Sequence, residues 1–438
     1  MLELSAMLNG EFRSRRESVL EAIHPGALVV FSAPVALRNN DVEHEYRQDS
    51  DLYYLTGFDE PDSVLVLRSV GAPRVALFVR PRDPERETWD GPRAGVEGAL
   101  RDFGADAAYP IAELESKLPE LLSDVPRLFY RLGRDSATDA RVLGAIAALR
   151  RQTRRPMVWP TAIHEPEGVL HEMRLRKSRE ELELMRRAIE ITGEAHAELM
   201  HVTRPGMHEY ELEALLRRRF RERGSERPAY APIVGSGPNA TILHHVRNDR
   251  RIADGDLVLV DAGCEYRYYA ADVTRTYPAS GRFDPQQRRV YELVLRAQEA
   301  AIARTRPGST LDEIHEAALE ALTDGLIELG LVEGPRERAL EEKRYRPFYM
   351  HRTSHWLGMD VHDVGRYYDD GGPRRLEPGM VLTVEPGIYV SQTAEVDAGF
   401  RGIGVRIEED VLVGEDGPVV LSADIPKTVE EVERACAR

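Results

Sequence analysis

The acidic residues of this chain fall into a repeated phrase. Gly255-Asp-Leu-Val-Leu-Val-Asp261-Ala-Gly263 lines up with Gly379-Met-Val-Leu-Thr-Val-Glu385-Pro-Gly387. In both, an acid closes an apolar run and a glycine follows two residues later. A second segment comes after each, Ala271-Asp272-Val273-Thr274 in one case and Val405-Arg406-Ile407-Glu408 in the other. Tyr266 to Tyr277, rich in Tyr, Val and Thr, reads as one strand carrying Asp272. Each half is therefore expected to supply a hairpin with an acid on either strand. An acid at the end of a buried run is costly unless something positive meets it. Self-similar halves packed face to face would bring Asp261, Asp272, Glu385 and Glu408 to one join. Four carboxylates in a small buried space must be protonated or bind cations. Cations are the expectation.

Histidines gather between the two hairpins, at His351, His355 and His362. His351 and His355 are one helical turn apart, as in zinc-protease helices, but that motif needs Glu after its first His and Arg352 stands there. The Arg-Thr-Ser between them and the later Gly358 also argue against a helix. Any one of these histidines alone would read as a packing residue. Three of them beside four convergent acids point to a site. Oxygen donors with one imidazole suit Mn²⁺, Co²⁺ or Fe²⁺, and zinc less well. Four carboxylates exceed what one ion needs, so two ions bridged by carboxylates are expected, about 3.5–4 Å apart. Such a pair lowers the pKa of bound water from about 15.7 towards 7, which equips a protein to hydrolyse an amide.

The elements that must position these residues are legible in outline. At 438 residues the chain is too long for one ordinary domain. It is 42% hydrophobic and 31% charged, which suits a soluble globular protein. A net charge of −16 argues against nucleic acid and anionic membranes. Two cysteines, Cys264 and Cys436, make no disulfide framework, and no apolar run reaches membrane-spanning length, so the cytoplasm is the expected location.

Residues 1–172 read as an α/β unit, with strands at Ala27–Phe31, Ser63–Leu67, Arg74–Val79 and Arg127–Tyr130. Helical patterns lie near Val96–Phe103 and Ala137–Leu149. Glu11–Ile23 reads as a basic amphipathic helix with a solvated face, a membrane anchor being the alternative. The patch Tyr46–Phe58, dense in aromatics and charge, reads as core beside a turn; its alternative role is to reach a neighbouring active site. Residues 173–438 read as an α+β domain of two similar halves. Ser178 with Glu181, and Thr310 with Glu313, cap helices, and Asp284-Pro285 opens another.

The segments VDAG, ADVTRT, SHWLGMDVHDVG, LTVEPG and RIEED, in this order, resemble the proline-specific aminopeptidases (aminopeptidase P) of the pita-bread peptidases. FSAP, YRQDSDLYYLTGF and EPDSVLVL are similar to the accessory domain of the bacterial members, so the resemblance covers nearly the whole chain. It implies a pita-bread catalytic domain with pseudo-twofold halves behind an α/β accessory domain. It further implies a two-metal site, usually manganese, that removes an N-terminal residue preceding proline, with a metal-bridging hydroxide as nucleophile.

Carried over by position, the resemblance has Asp261 bind one ion, Asp272 and Glu408 bridge both, and His355 and Glu385 hold the other. Glu385 would also shuttle a proton. His244 would lie on the substrate side, His351 beside the proline pocket, and His362 near the scissile carbonyl; His245 has no fixed counterpart. Arg406, two residues from Glu408, would pair with an acid ligand, and Tyr389 would lie near the site or pack beside it. Arg352 departs from the small residue expected there and bears on the shape of the proline-side pocket. The resemblance also suggests a homodimer or homotetramer.

An Xaa-Pro bond is a tertiary amide without an N–H, so proteases that bind that group lose a contact, whereas a metal pair polarises the carbonyl instead. Prolidase, confined to dipeptides, is the nearest alternative. A methionine aminopeptidase generally lacks the long N-terminal domain. A creatinase-like hydrolase or metal-free binding protein on this fold would typically lose ligand acids, and here all five ligand positions are filled.

Overall fold

The computed structural model describes residues 2–152 and 158–437. The chain divides between Met173 and Arg174 into two compact units.

In the first unit, apolar runs form a mixed six-stranded sheet. Its order is Ala107–Pro110, Val75–Val79, Val64–Arg68, Ala27–Phe31, Arg127–Phe129 and Ala162–His164. Val64–Arg68 pairs antiparallel on both sides, and the outer strands run parallel to their neighbours. Leu118, Leu122, Val142 and Ile146, from helices Leu114–Leu122 and Ser136–Arg150, bury against Val29, Val66 and Phe78 of the sheet.

Two expectations change here. The first helix spans Leu2–Ala22, and its basic face is only partly solvated, with Arg13 exposed beside Glu17. Arg15 and Arg16 are buried and donate to the carbonyls of Tyr54 and Leu55 at the end of helix Ser50–Thr56. Those carbonyls have no partner within their own helix, and the guanidiniums satisfy them. Helix Ser50–Thr56 itself sits inside the aromatic patch. Asp49 caps it by accepting from the backbone N–H of Asp51 and Leu52, and Gly57 ends it at φ 67°. Leu52, Tyr54, Leu55 and Phe58 are buried, so the patch does pack as core, around a helix too short for periodicity to reveal.

The second unit sets long helices around several small sheets, one three-stranded sheet in each half carrying the acids at its strand ends. Arg179–Val202, Pro285–Ile302 and Leu311–Glu328 all begin with the expected capping boxes. In the first half, Leu257–Asp261 pairs antiparallel with Ile233–Ser236 and Thr274–Pro278, with Asp261 opposite Thr274. In the second, Val381–Val384 pairs antiparallel with Glu409–Val413, with Val384 opposite Glu409. The run expected as one strand is broken: Cys264–Tyr266 and Tyr269–Ala270 form a small side hairpin before Thr274–Pro278 begins. Asp272 therefore lies in the loop ahead of its strand, and Glu408 lies between strands Gly404–Arg406 and Glu409–Val413. The acids stand at strand ends rather than along strands.

Close packing of backbone makes those ends converge. A side chain at Gly263 would put its Cβ 1.7 Å from the Ala271 carbonyl, so only glycine lets the Asp261 and Asp272 loops pass. The halves are joined directly, with Glu408 N donating to Thr274 O at 3.1 Å and Thr276 Oγ1 to Arg406 O at 3.0 Å. Arg275, fully buried, donates to the carbonyls of Thr274, Glu408, Ile425 and Pro426 and pairs with Glu409 at 2.9 Å. A buried guanidinium is tolerable only when its donors are met this fully.

Candidate metal centre

Each acid is delivered by a short piece of backbone. Asp261 ends its strand, and Asp272 leaves the tight turn enforced by Gly263. His355 is set beside Glu385 by edge pairing: Thr383 N donates to His355 O, and Glu385 N donates to Thr353 O at 2.9 Å. His351 and His355 lie in irregular chain, not on a helix, in keeping with the rejected zinc-protease motif.

Ligand atoms of Asp272, His355 and Glu408 all fall within 4.8 Å of one another. His355 Nε2 is 3.4 Å from Asp272 Oδ2 and 3.6 Å from Glu385 Oε1. The Tyr230 hydroxyl bridges the first pair of acids, at 2.6 Å from Asp261 Oδ1 and 2.5 Å from Asp272 Oδ1. Thr274 Oγ1 donates to Glu408 Oε2 at 2.6 Å. Arg406 does pair with an acid, but across the join: its Nη2 donates to Asp261 Oδ2 at 2.5 Å, Nε to Thr274 Oγ1 and Nη1 to the Tyr389 hydroxyl. Its own neighbour Glu408 accepts instead from Thr274 Oγ1, the hydroxyl that Arg406 Nε also meets.

The imidazoles surround this core. His351 Nε2 lies 2.9 Å from the Tyr389 hydroxyl, and its Nδ1 lies 3.8 Å from Glu385. His362 packs edge-on against His355 with ring centroids 4.5 Å apart. The residue after it, Asp363, is buried and gripped by Arg174 at 2.6 Å and Lys177 at 3.1 Å, which anchors the loop. His244 is exposed on its loop and lines the same cavity, without a contact to the acids. His245 turns away and is buried, with Nε2 3.0 Å from the Glu209 carboxylate. The cavity has a volume of about 540 Å³ and exposes Asp261, His355, Glu385 and Arg406 on its floor.

The electrostatics fit cations. Burial pushes the Asp272, Glu385 and Glu408 carboxyls up, and neighbouring acids add to the push; Glu385 reaches about 8. Burial pulls His355 down, but the Asp272 and Glu385 carboxylates outweigh it and raise the ring to about 9. His351 is pulled down to about 4, first by burial and then by Arg406. Carboxylates that resist ionising beside one another are stabilised as ligands by divalent ions, and four of them with one imidazole form the hard, oxygen-rich donor set such ions take.

Sequence reasoning missed Tyr230, Thr274, Arg275 and Asp410, whose carboxylate accepts from Asp272 N at 3.2 Å. Tyr230 sits in a loop between Pro228 and Pro232 with no periodic pattern to mark it. Arg275 and Thr274 lie inside the singled-out ADVTRT segment, and a buried-strand Arg beside an acid was the available signal.

Related halves closing on a carboxylate-rich cleft define a metal-dependent hydrolase. Comparison with known proteins agrees. Residues 183–415 match the model of metallopeptidase family M24, and residues 12–130 match the aminopeptidase P N-terminal domain. The Xaa-Pro aminopeptidase of Escherichia coli is 42% identical over 433 residues, covering 98% of each chain. The structure of Pseudomonas aeruginosa aminopeptidase PepP superposes with a TM-score of 0.96 at 47% identity, covering 98% of both chains. A zinc-substituted E. coli aminopeptidase P in complex with product gives a TM-score of 0.94 at 42% identity, again over 98% of each chain. The chain belongs to metallopeptidase family M24, in its Xaa-Pro aminopeptidase branch, with the pita-bread fold in its second unit.

Proposed function

We propose that this protein removes the N-terminal residue from peptides whose second residue is proline. One observation carries the reading: Asp272, His355 and Glu408 bring ligand atoms within 4.8 Å of one another, and His355 opens onto the cavity beside Asp261 and Glu385. The E. coli relative supports it by name. Two divalent ions would be held by Asp261, Asp272, His355, Glu385 and Glu408. Manganese suits this oxygen-rich set best, with Co²⁺, Fe²⁺ and Zn²⁺ as possible substitutes. When bound, the ions supply Lewis-acid polarisation of the carbonyl and an activated water.

The chain's own groups do the rest. Hydrolysis puts a hydroxyl on the scissile carbonyl carbon and leaves one proton to be placed. Glu385 takes that proton and returns it to the proline nitrogen as the C–N bond breaks. His362 is held neutral, chiefly by burial, and its ring N–H serves the developing oxyanion. His351, braced by Tyr389, borders the proline side, and His244 flanks the substrate. Arg406 and Tyr230 fix the orientation of Asp261. The acidic floor attracts a free amino terminus, which makes the enzyme an exopeptidase.

No helix among the described residues is long and apolar enough to cross a membrane, and two cysteines without a disulfide suit the cytoplasm. A homodimer or homotetramer completes the proposal. The test is turnover with Mn²⁺ of Xaa-Pro-Xaa, Xaa-Pro and N-acetylated Xaa-Pro-Xaa peptides. The free tripeptide should be cut and the acetylated one spared. Activity on the dipeptide alone would make the protein a prolidase, and no activity with any divalent ion would sink the reading.

A further inference from the structure

The cavity has one wall that the chemistry above does not use. Its floor is buried, with Asp261 9% and Arg406 3% exposed. Its rim is open, formed by Tyr368 at 57%, Tyr367 at 40% and the Arg352 side chain at 56%. Arg352 directly follows His351, whose ring lies 3.8 Å from Glu385, and its half-exposed side chain lines the same cavity. Asp312 pairs with it through one guanidinium nitrogen, and the Tyr368 hydroxyl, 3.3 Å from both Asp312 oxygens, steadies that acid in turn. An arginine has five N–H donors in a rigid fork, and here a fixed acid holds the fork at the edge of the cavity with most of its donors unspent. The other arginine lining the cavity, Arg406, is committed to Asp261, Thr274 and Tyr389.

On that reading a peptide enters this cavity amino end first. Its free amino terminus lies at the buried floor, so its carboxyl side runs outward to the rim. An extended chain advances about 3.3 Å per residue. The third residue thus lies two steps past the bond cut between the first and second, where the rim begins. We infer that Arg352 is a specificity-determining residue that binds a carboxylate on the third residue of the substrate. This rests on the reading of the site as an Xaa-Pro aminopeptidase. The carboxylate has two sources, the free C-terminus of a tripeptide or an acidic side chain at the third position of a longer peptide.

The experiment compares kcat/KM of the Mn²⁺-loaded protein on Ala-Pro-Ala with a free carboxyl, Ala-Pro-Ala amide and Ala-Pro-Glu amide. An exposed charge pair is worth a modest factor. The free acid should therefore exceed the Ala amide by about three- to fivefold, expressed in KM rather than kcat, and the preference should shrink as salt rises. In Arg352→Gly the ratio should fall to about one, while Arg352→Lys, which keeps the charge and loses the fork, should fall between. A Glu amide that matches the free acid assigns the pocket to acidic side chains as well; one that matches the Ala amide confines it to short peptides. Equal values for free acid and amide in the unaltered protein, or a preference that survives Arg352→Gly, would overturn the inference. No cleavage of any of the three peptides would instead remove the aminopeptidase reading and the inference with it.

Discussion

Asp261 and Asp272, the acids of the first hairpin, share a tyrosine hydroxyl, and Asp261 also takes a guanidinium from across the join. Glu385, at the matching place in the second hairpin, has a different company: the imidazoles of His355 at 3.6 Å and His351 at 3.8 Å. The repeat in sequence therefore produces two unlike holders. One half fixes its carboxylates with donors that never leave. The other holds a carboxyl whose proton affinity is raised to about 8, first by burial and then by the nearby Asp272 and Asp261. A rigid ligand and a proton carrier need opposite treatment, and the same hairpin provides both by changing what surrounds it.

The largest test of this contrast is Glu385→Gln, which keeps shape and removes the proton carrier. It should lower kcat by about 100- to 10,000-fold while the protein keeps its melting temperature, measured by steady-state kinetics beside a thermal melt. A small loss would mean that the two halves do not divide the work.

Arg275→Met attacks the seam between the halves. It strands the Glu409 carboxylate in the interior with Lys427, 3.2 Å away, as its remaining cation, so about 3 kcal/mol should be lost in urea unfolding. Tyr230→Phe removes the hydroxyl that spaces Asp261 from Asp272. Metal titration followed by activity should show about a tenfold weaker affinity, with the fold intact.

The smallest effect concerns pH in chelator. The raised carboxyl of Glu385 favours the folded state below the ordinary carboxylate value of about 4.3, and that contribution is lost as pH rises through about 8; Glu408, also raised by burial, acts in the same direction. His355, raised to about 9, loses its contribution in the same direction above about 6.5. Chelated protein should thus melt a few degrees lower at pH 8 than at pH 5, and Mn²⁺ should erase the difference. A chelated melting point that rises over this range would contradict the crowding of acids described here.

How much of this could be read beforehand depends on the kind of signal. The ligand acids and histidines announced themselves through a repeated phrase and through residue types that are costly to bury singly. Helix starts were legible at Ser178, Asp284 and Thr310 because capping is a local code. What stayed hidden was set by contacts distant in sequence. Tyr230 reaches Asp272 across 42 positions and Arg406 reaches Asp261 across 145, and no spacing rule links either pair. The breaks that put Asp272 and Glu408 at strand ends also escaped, since Tyr- and Val-rich sequence favours strand whether or not a tight turn interrupts it.

The guanidinium at Arg275 has a consequence for how such a molecule can be taken apart. It closes hydrogen bonds on both sides of the duplication at once, to Thr274 and to Glu408, the latter one of the clustered acids. Neither repeat can loosen without stripping a charged group of its acceptors in the other. The duplication is thus bound into one cooperative folding unit, and a fragment carrying a single repeat would hold half of a coordination sphere and an arginine with nowhere to go.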